Sequence, residues 1–352
     1  MRKLVLLFTV IVVGCSIGEN SIDIDNEIEI KEGIGLTKKE EFSSLIRINN
    51  TLFLGGENTY SSLIVKSTDN GLSWQSMYSN SNGKISLLSG FNTSLYAVEN
   101  VKENGKLYSK LMFCDLSSNQ WEELNYGKGI IRNVYFLDSL NGLIFAKIEN
   151  KKKTLKTNDG GHNWEDVNAF KLNNVVEYDN LVSKDSFLYG YYYPTPKMDS
   201  LGIFSLNIKT NELKKTIIYS EQILQKKLEN QDDKLILSLF RNDSIIKLSL
   251  NYDFSIDKKE GYVKSIEFDY LDIFYNQNSQ RVLFLLNDMS GDANYNNYYL
   301  AISEDNGRTL SISDKSKSNY LKPYLYYDNK FVGFLRKGKF LFYSPTAQDI
   351  NK

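Results

Sequence analysis

An eight-residue turn signature recurs along this chain and constrains its fold more than any other feature. Ser67-Thr68-Asp69-Asn70-Gly71-Leu72-Ser73-Trp74 is one copy and Thr157-Asn158-Asp159-Gly160-Gly161-His162-Asn163-Trp164 a second. Ser303-Glu304-Asp305-Asn306-Gly307-Arg308-Thr309-Leu310 is a worn third, with Leu in place of Trp. The order is a hydroxyl, an Asp, a Gly and then an aromatic ring. The Asp carboxylate can accept hydrogen bonds from backbone amides across a tight turn. Gly71, Gly161 and Gly307 stand where the chain needs φ > 0. The Trp can fold beneath the hairpin as an apolar plug. Every residue of the signature therefore serves a turn.

The spacing sets the repeat. Trp74, Trp121 and Trp164 are the only tryptophans, and they fall one repeat apart. Trp121 closes Asp115-Leu116-Ser117-Ser118-Asn119-Gln120-Trp121, a decayed form of the same hairpin. Unmarked turns fit near Lys209-Thr210-Asn211-Glu212 and Asn251-Tyr252-Asp253-Phe254. Helical periodicity is nowhere sustained, whereas short apolar or alternating runs recur between Asn, Asp, Gly and Ser, the pattern of an all-β fold. Self-similarity at a period of roughly 40 to 50 residues points to a β-propeller. Blades are expected at 43–78, 84–125, 130–168, 174–218, 223–259 and 264–314. The last segment, 320–344, holds only three runs, Tyr324–Tyr327, Lys330–Leu335 and Lys339–Tyr343. Glu27-Ile28-Glu29-Ile30 alternates like a strand but has no blade of its own. It is predicted to supply the missing outer strand and close the ring, which protects sheet edges. The count is seven four-stranded blades; six or eight stay open because blades four and five are poorly marked.

On these turns the chain resembles the Asp-box (BNR-repeat) β-propellers, the group that includes sialidases and the photosystem II assembly-factor-like proteins. Asn133-Val134-Tyr135-Phe136-Leu137-Asp138 followed by Asn141-Gly142-Leu143-Ile144-Phe145-Ala146 resembles the opening of a blade in the latter. The resemblance implies that Ser67, Asp69, Gly71, Trp74, Thr157, Asp159, Gly161, Trp164, Ser303, Asp305 and Gly307 are structural. It also implies that these turns lie away from a ligand face.

The front of the chain gives an address. Met1-Arg2-Lys3 is basic and Leu4 to Val13 almost wholly apolar. A run of about ten residues is too short to span a bilayer and reads as a secretory signal. Val12-Val13-Gly14-Cys15-Ser16 resembles the lipobox of bacterial lipoproteins, which implies an acylated Cys15 and, with no Asp after it, an outer-membrane destination. Several acyl chains on one residue anchor stably where one does not. The expected organisation is a lipoprotein signal at 1–14, an acylated Cys and acidic tether at 15–26, a propeller at 27–346 and a tail at 347–352. Without Arg2 and Lys3 the 42 basic side chains fall to 40 against 43 acidic ones. That balance argues against nucleic acid as a partner. Cys114 is then the single remaining thiol and sits in an apolar run, which reads as core.

Catalytic sets are thin. A sialidase needs three arginines for the substrate carboxylate, since the guanidinium fork binds it bidentately. The resemblance places the first at Ser43, and Arg47 lies in another frame. Lys66 stands where an Arg usually precedes the first turn, and Arg132, Arg241, Arg281, Arg308 and Arg336 suggest no triad. His162, the one histidine, falls in a turn, which disfavours zinc and a Ser-His-Asp triad. Asp288, Asp292 and Asn294 are oxygen-rich but depart from calcium-loop spacing. No metal or cofactor is expected.

Tyrosine is the compositional oddity, with 24 copies. Clusters fall at Tyr189–Tyr193, Tyr295–Tyr299 and Tyr324–Tyr327. Rings on strands pack into the core or form an amphipathic rim, and Tyr191, Tyr193, Tyr295 and Tyr298 are the candidates for a ligand face. The expected function is a non-catalytic, lipid-anchored, monomeric binding or scaffolding module of the cell envelope, for a glycan or protein partner. A sialidase-like glycoside hydrolase and an assembly factor for a membrane complex are the alternatives.

Overall fold

The computed structural model describes residues 24–345 apart from 60, 168–174, 195–199, 220–224, 232, 241–243, 264–267, 276–280, 289–296, 305–309, 314–315, 319–320 and 328–329. The calls on Cys15, Tyr295, Asp305 and Gly307 lie outside the described residues. Seven four-stranded antiparallel sheets form a β-propeller. Six are read in simple chain order; the seventh has the order of an N-terminal strand, then three strands from the C-terminal end. Ile28–Glu32 pairs antiparallel with Lys339–Tyr343, Ile28 opposite Tyr343 and Glu32 opposite Lys339. The ring therefore closes as the alternation around Ile28 predicts.

Closure is held by more than the ladder. Ile28 is fully buried among Phe274, Phe331 and Leu341, a burial that contributes about 1.5–3 kcal/mol. One residue earlier, Glu27 meets the buried Arg281 of blade six at 2.9 Å, and Arg281 also reaches Glu304 at 2.5 Å. Ser313 also donates to the Asp25 carboxylate. A main apolar cluster sits between each pair of neighbouring blades; Phe42, Trp74, Phe334 and Phe340 fill the joint between blades seven and one.

The repeated turns are built as their residues dictate. In the first, Ser67 Oγ donates to Asp69 at 2.8 Å and accepts from Gly71 N–H at 2.8 Å, while Ser73 N–H donates to Asp69 at 2.9 Å. The second repeats this set with Thr157, Asp159, Gly161 and Asn163. Gly71 and Gly161 have φ of 93° and 100°, a region that side chains avoid. Burial alone would raise the Asp69 pKa, but hydrogen bonds from Ser73 and Ser67 outweigh it and bring it down to about 2. The bonds from Asn163 and Thr157 do the same for Asp159, also to about 2. The plugs differ: Trp74 donates to Gly71 O at 2.9 Å and stacks on Phe340, whereas the buried Trp164 indole N–H has no partner among the described residues. In the worn third copy Ser303 is buried and Leu310 packs beside Ala301 and Ile312. The unmarked turns fall where expected and rest on side-chain caps from Asn207 and Asp253.

Candidate functional site

Each blade contributes its first strand to the axis: Glu40–Ile48, Gly83–Phe91, Gly129–Phe136, Val175–Lys184, Gln225–Gln231, Phe268–Tyr275 and Tyr324–Tyr327. Single-residue bulges at Ser43, Ser86, Arg132 and Leu271 interrupt four of these strands at the same level, and a longer register shift between Glu177 and Val182 interrupts a fifth. A bulge bends a strand and re-aims its side chains. The residues that follow it therefore define the wall of the axial channel, and that wall has two chemically different arcs.

The first arc is a cleft of about 780 Å³ formed by blades seven and one to four. Leu87, Leu88, Leu181 and Leu325 give it an apolar floor, and Asn49, Ser89, Asn133 and Tyr135 supply amides and hydroxyls. Tyr135 donates to Ser183 at 2.6 Å and so ties blade three to blade four. Arg47 lies over the Tyr327 ring, 4.5 Å from its centre, and donates to Asn50 at 3.2 Å. No carboxylate, imidazole or thiol occurs among the described lining residues. The cleft opens beside the first hairpin of each blade, on the face that also carries the repeated turns. The turns stand at the rim of that face and the cleft at its axis.

The second arc belongs to blades five, six and seven. Lys227 is buried between Glu229 at 3.0 Å and Asp272 at 2.8 Å, and donates to Ile273 O at 2.7 Å. Its ammonium lies 3.9 Å from the centre of the Phe274 ring. Tyr324 donates to the other Asp272 oxygen at 3.0 Å. Burial alone would lower the Lys227 pKa, but the two carboxylates outweigh it and hold the pKa above its ordinary value. Burial pushes the Glu229 carboxyl up, against the pull of Lys227 and with the help of Asp272. Burial, with Asp272 beside it, likewise pushes Tyr324 up. Counted back from the first hairpin of each blade, Asp272 and Tyr324 stand level with Asn133 and Leu181 of the other arc.

The expected ligand-face tyrosines are placed elsewhere. Tyr191 and Tyr193 are 1% and 5% exposed in the joint between blades four and five, where Lys226 lies against both rings. This takes them out of any open surface. Tyr298 packs against the joint between blades six and seven. The third tyrosine cluster is the one that reaches the axis, Tyr324 and Tyr326 toward blade six and Tyr327 toward blade one. Of the arginines, Arg281 is committed to Glu27, and Arg47 and Arg132 belong to different blades. Ser43 Oγ, at the position where a sialidase has Arg, donates to the Ile85 carbonyl. His162 is exposed and Cys114 is buried, its thiol pKa pushed up by burial to about 11. Lys227, Glu229 and Asp272 were not expected from the sequence. Their one signal is that Lys227 and Asp272 fall about one blade apart in like positions of their strands. Among the described residues no cluster of three metal-ligating side chains occurs, and no helix is long and apolar enough to cross a membrane.

No family model and no curated protein matches the chain. Among solved structures it is similar to YCF48 bound to D1 peptide, at 16% identity and a TM-score of 0.55, over 91% of this chain and 96% of that one. It is also similar to BamB from Moraxella catarrhalis (12% identity, TM-score 0.49, 87% and 84% covered). The GH74 enzyme of Niastella koreensis is a further match (14% identity, TM-score 0.49, 84% and 50% covered). The first of these likenesses is one of fold.

Proposed function

We propose that the chain is a non-catalytic binding module of the cell envelope that takes an extended segment of a partner protein into its axial cleft. The observation that carries this is the lining of that cleft: apolar side chains stand beside amides, hydroxyls and Arg47, and no described lining residue is a carboxylate, an imidazole or a thiol. Such a surface suits a peptide, whose main chain needs hydrogen bonds and whose side chains need apolar contact. The YCF48 structure, solved with a peptide, supports the reading by analogy of fold. Acylation of Cys15, with the membrane lipid as second partner, belongs to the same proposal, as does the Asp-box character of the two complete turns. An assembly role at a membrane complex is the natural use of such a module. Nothing in the cleft favours a nucleic acid.

The test uses the full chain in detergent against an array of overlapping fifteen-residue peptides from envelope proteins, beside a panel of sialosides and aryl glycosides. Peptide capture that falls in Asn133→Ala and Leu325→Ala, with no glycoside turned over, is expected. Turnover that Arg47→Ala abolishes would overturn the proposal and restore the hydrolase reading. Capture indifferent to both cleft variants would remove the cleft from the function.

A further inference from the structure

Blade two carries a second surface, on the face opposite the cleft. Its central hairpin, Ser94–Glu103 and Lys106–Asp115, runs ten residues a side. The outer strand, Gln120–Leu124, pairs only with Leu111–Asp115. Beyond it no strand among the described residues covers the outer edge of Lys106 to Lys110. The Ser109 carbonyl points to that edge, where the Tyr126 hydroxyl donates to it at 2.7 Å. Backbone groups alternate along a strand, so Leu107 N–H and C=O face the same way. A cavity of about 520 Å³ lies alongside, between this edge and the chain from Glu123 to Lys128. Leu107 itself is 54% exposed.

The charge at this edge is uneven. Lys110 pairs with Glu123 at 3.0 Å and Lys128 with Glu103 at 3.7 Å. Lys102 and Lys106 are exposed and have no ion pair among the described residues, which leaves the hairpin tip with a surplus of positive charge. Lysines on an open edge deter strands that carry no compensating charge. They admit one that does. We infer that the outer edge of Lys106–Lys110 is a strand-docking site for an extended acidic peptide segment. The segment continues the blade-two sheet through main-chain bonds to Leu107 and sets its carboxylates on the sheet face that carries Lys106. The inference stands apart from the cleft, since no cleft residue takes part.

The probe is an end-capped eight-residue peptide of alternating Glu and Val, with the alternating Lys and Val peptide as its counterpart, read by fluorescence anisotropy on the full chain. The acidic peptide is expected to bind saturably, more weakly as salt rises, and to slow amide exchange at Leu107. Leu107→Pro removes the one outward N–H at a place where edge strands tolerate proline, and is expected to weaken binding roughly tenfold or more. Lys106→Glu, which leaves the backbone alone, is expected to weaken it and to favour the basic peptide. The cleft variant Asn133→Ala leaves it unchanged. Equal binding of the two peptides, binding insensitive to Lys106→Glu, or amide protection away from Leu107 would each overturn the inference.

Discussion

Two arcs of one channel wall stand at the same depth and have opposite character. In blades five to seven, Lys227, Glu229, Asp272 and Tyr324 satisfy one another in a largely buried ionic cluster, of which Glu229 is the most exposed member of its ion pairs. In blades seven and one to four, the wall is formed by leucines, amides and hydroxyls, with Arg47 over the Tyr327 ring, around an open cleft. A charge taken out of water must find partners at once, so the ionic arc is closed and turns its polar groups on itself. Neutral polar groups at an open cleft carry no such desolvation penalty and need no ionic match. The difference teaches that the more highly charged region of this axis ties blades five to seven to one another, while the blander one leaves a cleft open.

The largest expected effect lies in the ionic arc. Lys227→Met leaves two carboxylates facing each other without their cation, and should cost about 3–5 kcal/mol, as when one partner of a buried pair is removed. Urea unfolding of the full chain measures it. Replacing Lys227 with Met together with Glu229→Gln and Asp272→Asn should recover most of the loss. If Lys227→Met were no worse than a cleft substitution, the contrast between the arcs would be broken.

A buried pair outside the channel sharpens the same point. Glu27→Gln takes the charge from the partner of Arg281 at the ring closure. Loss of charge-assisted hydrogen bonds there should cost about 1.5–3 kcal/mol, with fraying of the Ile28–Glu32 strand seen in amide exchange. A similar cost at both places would show that burial, and not position on the axis, sets the price of charge. In the cleft arc, Asn133→Ala should cost only about 1 kcal/mol of stability while abolishing peptide capture. An equal loss of both would mean that the cleft is structural.

The architecture was legible because it is local. Turn residues and strand alternation mark each hairpin, and Ile28 betrayed the closing strand by having no blade beside it. The site was less so. Three consecutive tyrosines, Tyr191 to Tyr193, are all buried, because a blade is covered on both faces and period-two alternation no longer separates inside from outside. The ionic arc joins residues from three blades, each in an ordinary strand. A Lys two residues before a Glu looks like a solvated strand face until the ring brings Asp272 beside it. The cleft was hidden for the same reason: Leu87, Asn133 and Leu325 carry no local mark and meet only through closure.

The smallest effect separates the two kinds of carboxylate by the sign of their pH dependence. Asp69 has its pKa brought down from 3.8 to about 2, so its contribution is present above the unfolded value and is lost as pH falls through that range. Glu229 has its pKa raised above 4.5, so the native state holds that proton more firmly than the unfolded chain does. Its contribution is full below 4.5 and is lost as pH rises through the native pKa. Lys227, Asp272, Lys247 and Tyr326 are the groups that face it. Lys227 stays charged throughout this window, its own pKa being raised, so the sign belongs to Glu229. Asp69→Asn should therefore flatten the loss of stability on the acid side, while Glu229→Gln should flatten the decline toward neutral pH and cost little at pH 7. Urea midpoints from pH 2 to 8 read both slopes. A Glu229→Gln chain destabilised at neutral pH as much as Lys227→Met would show that the arc needs both its negative charges, and that its excess carboxylate is ionised rather than held as an acid.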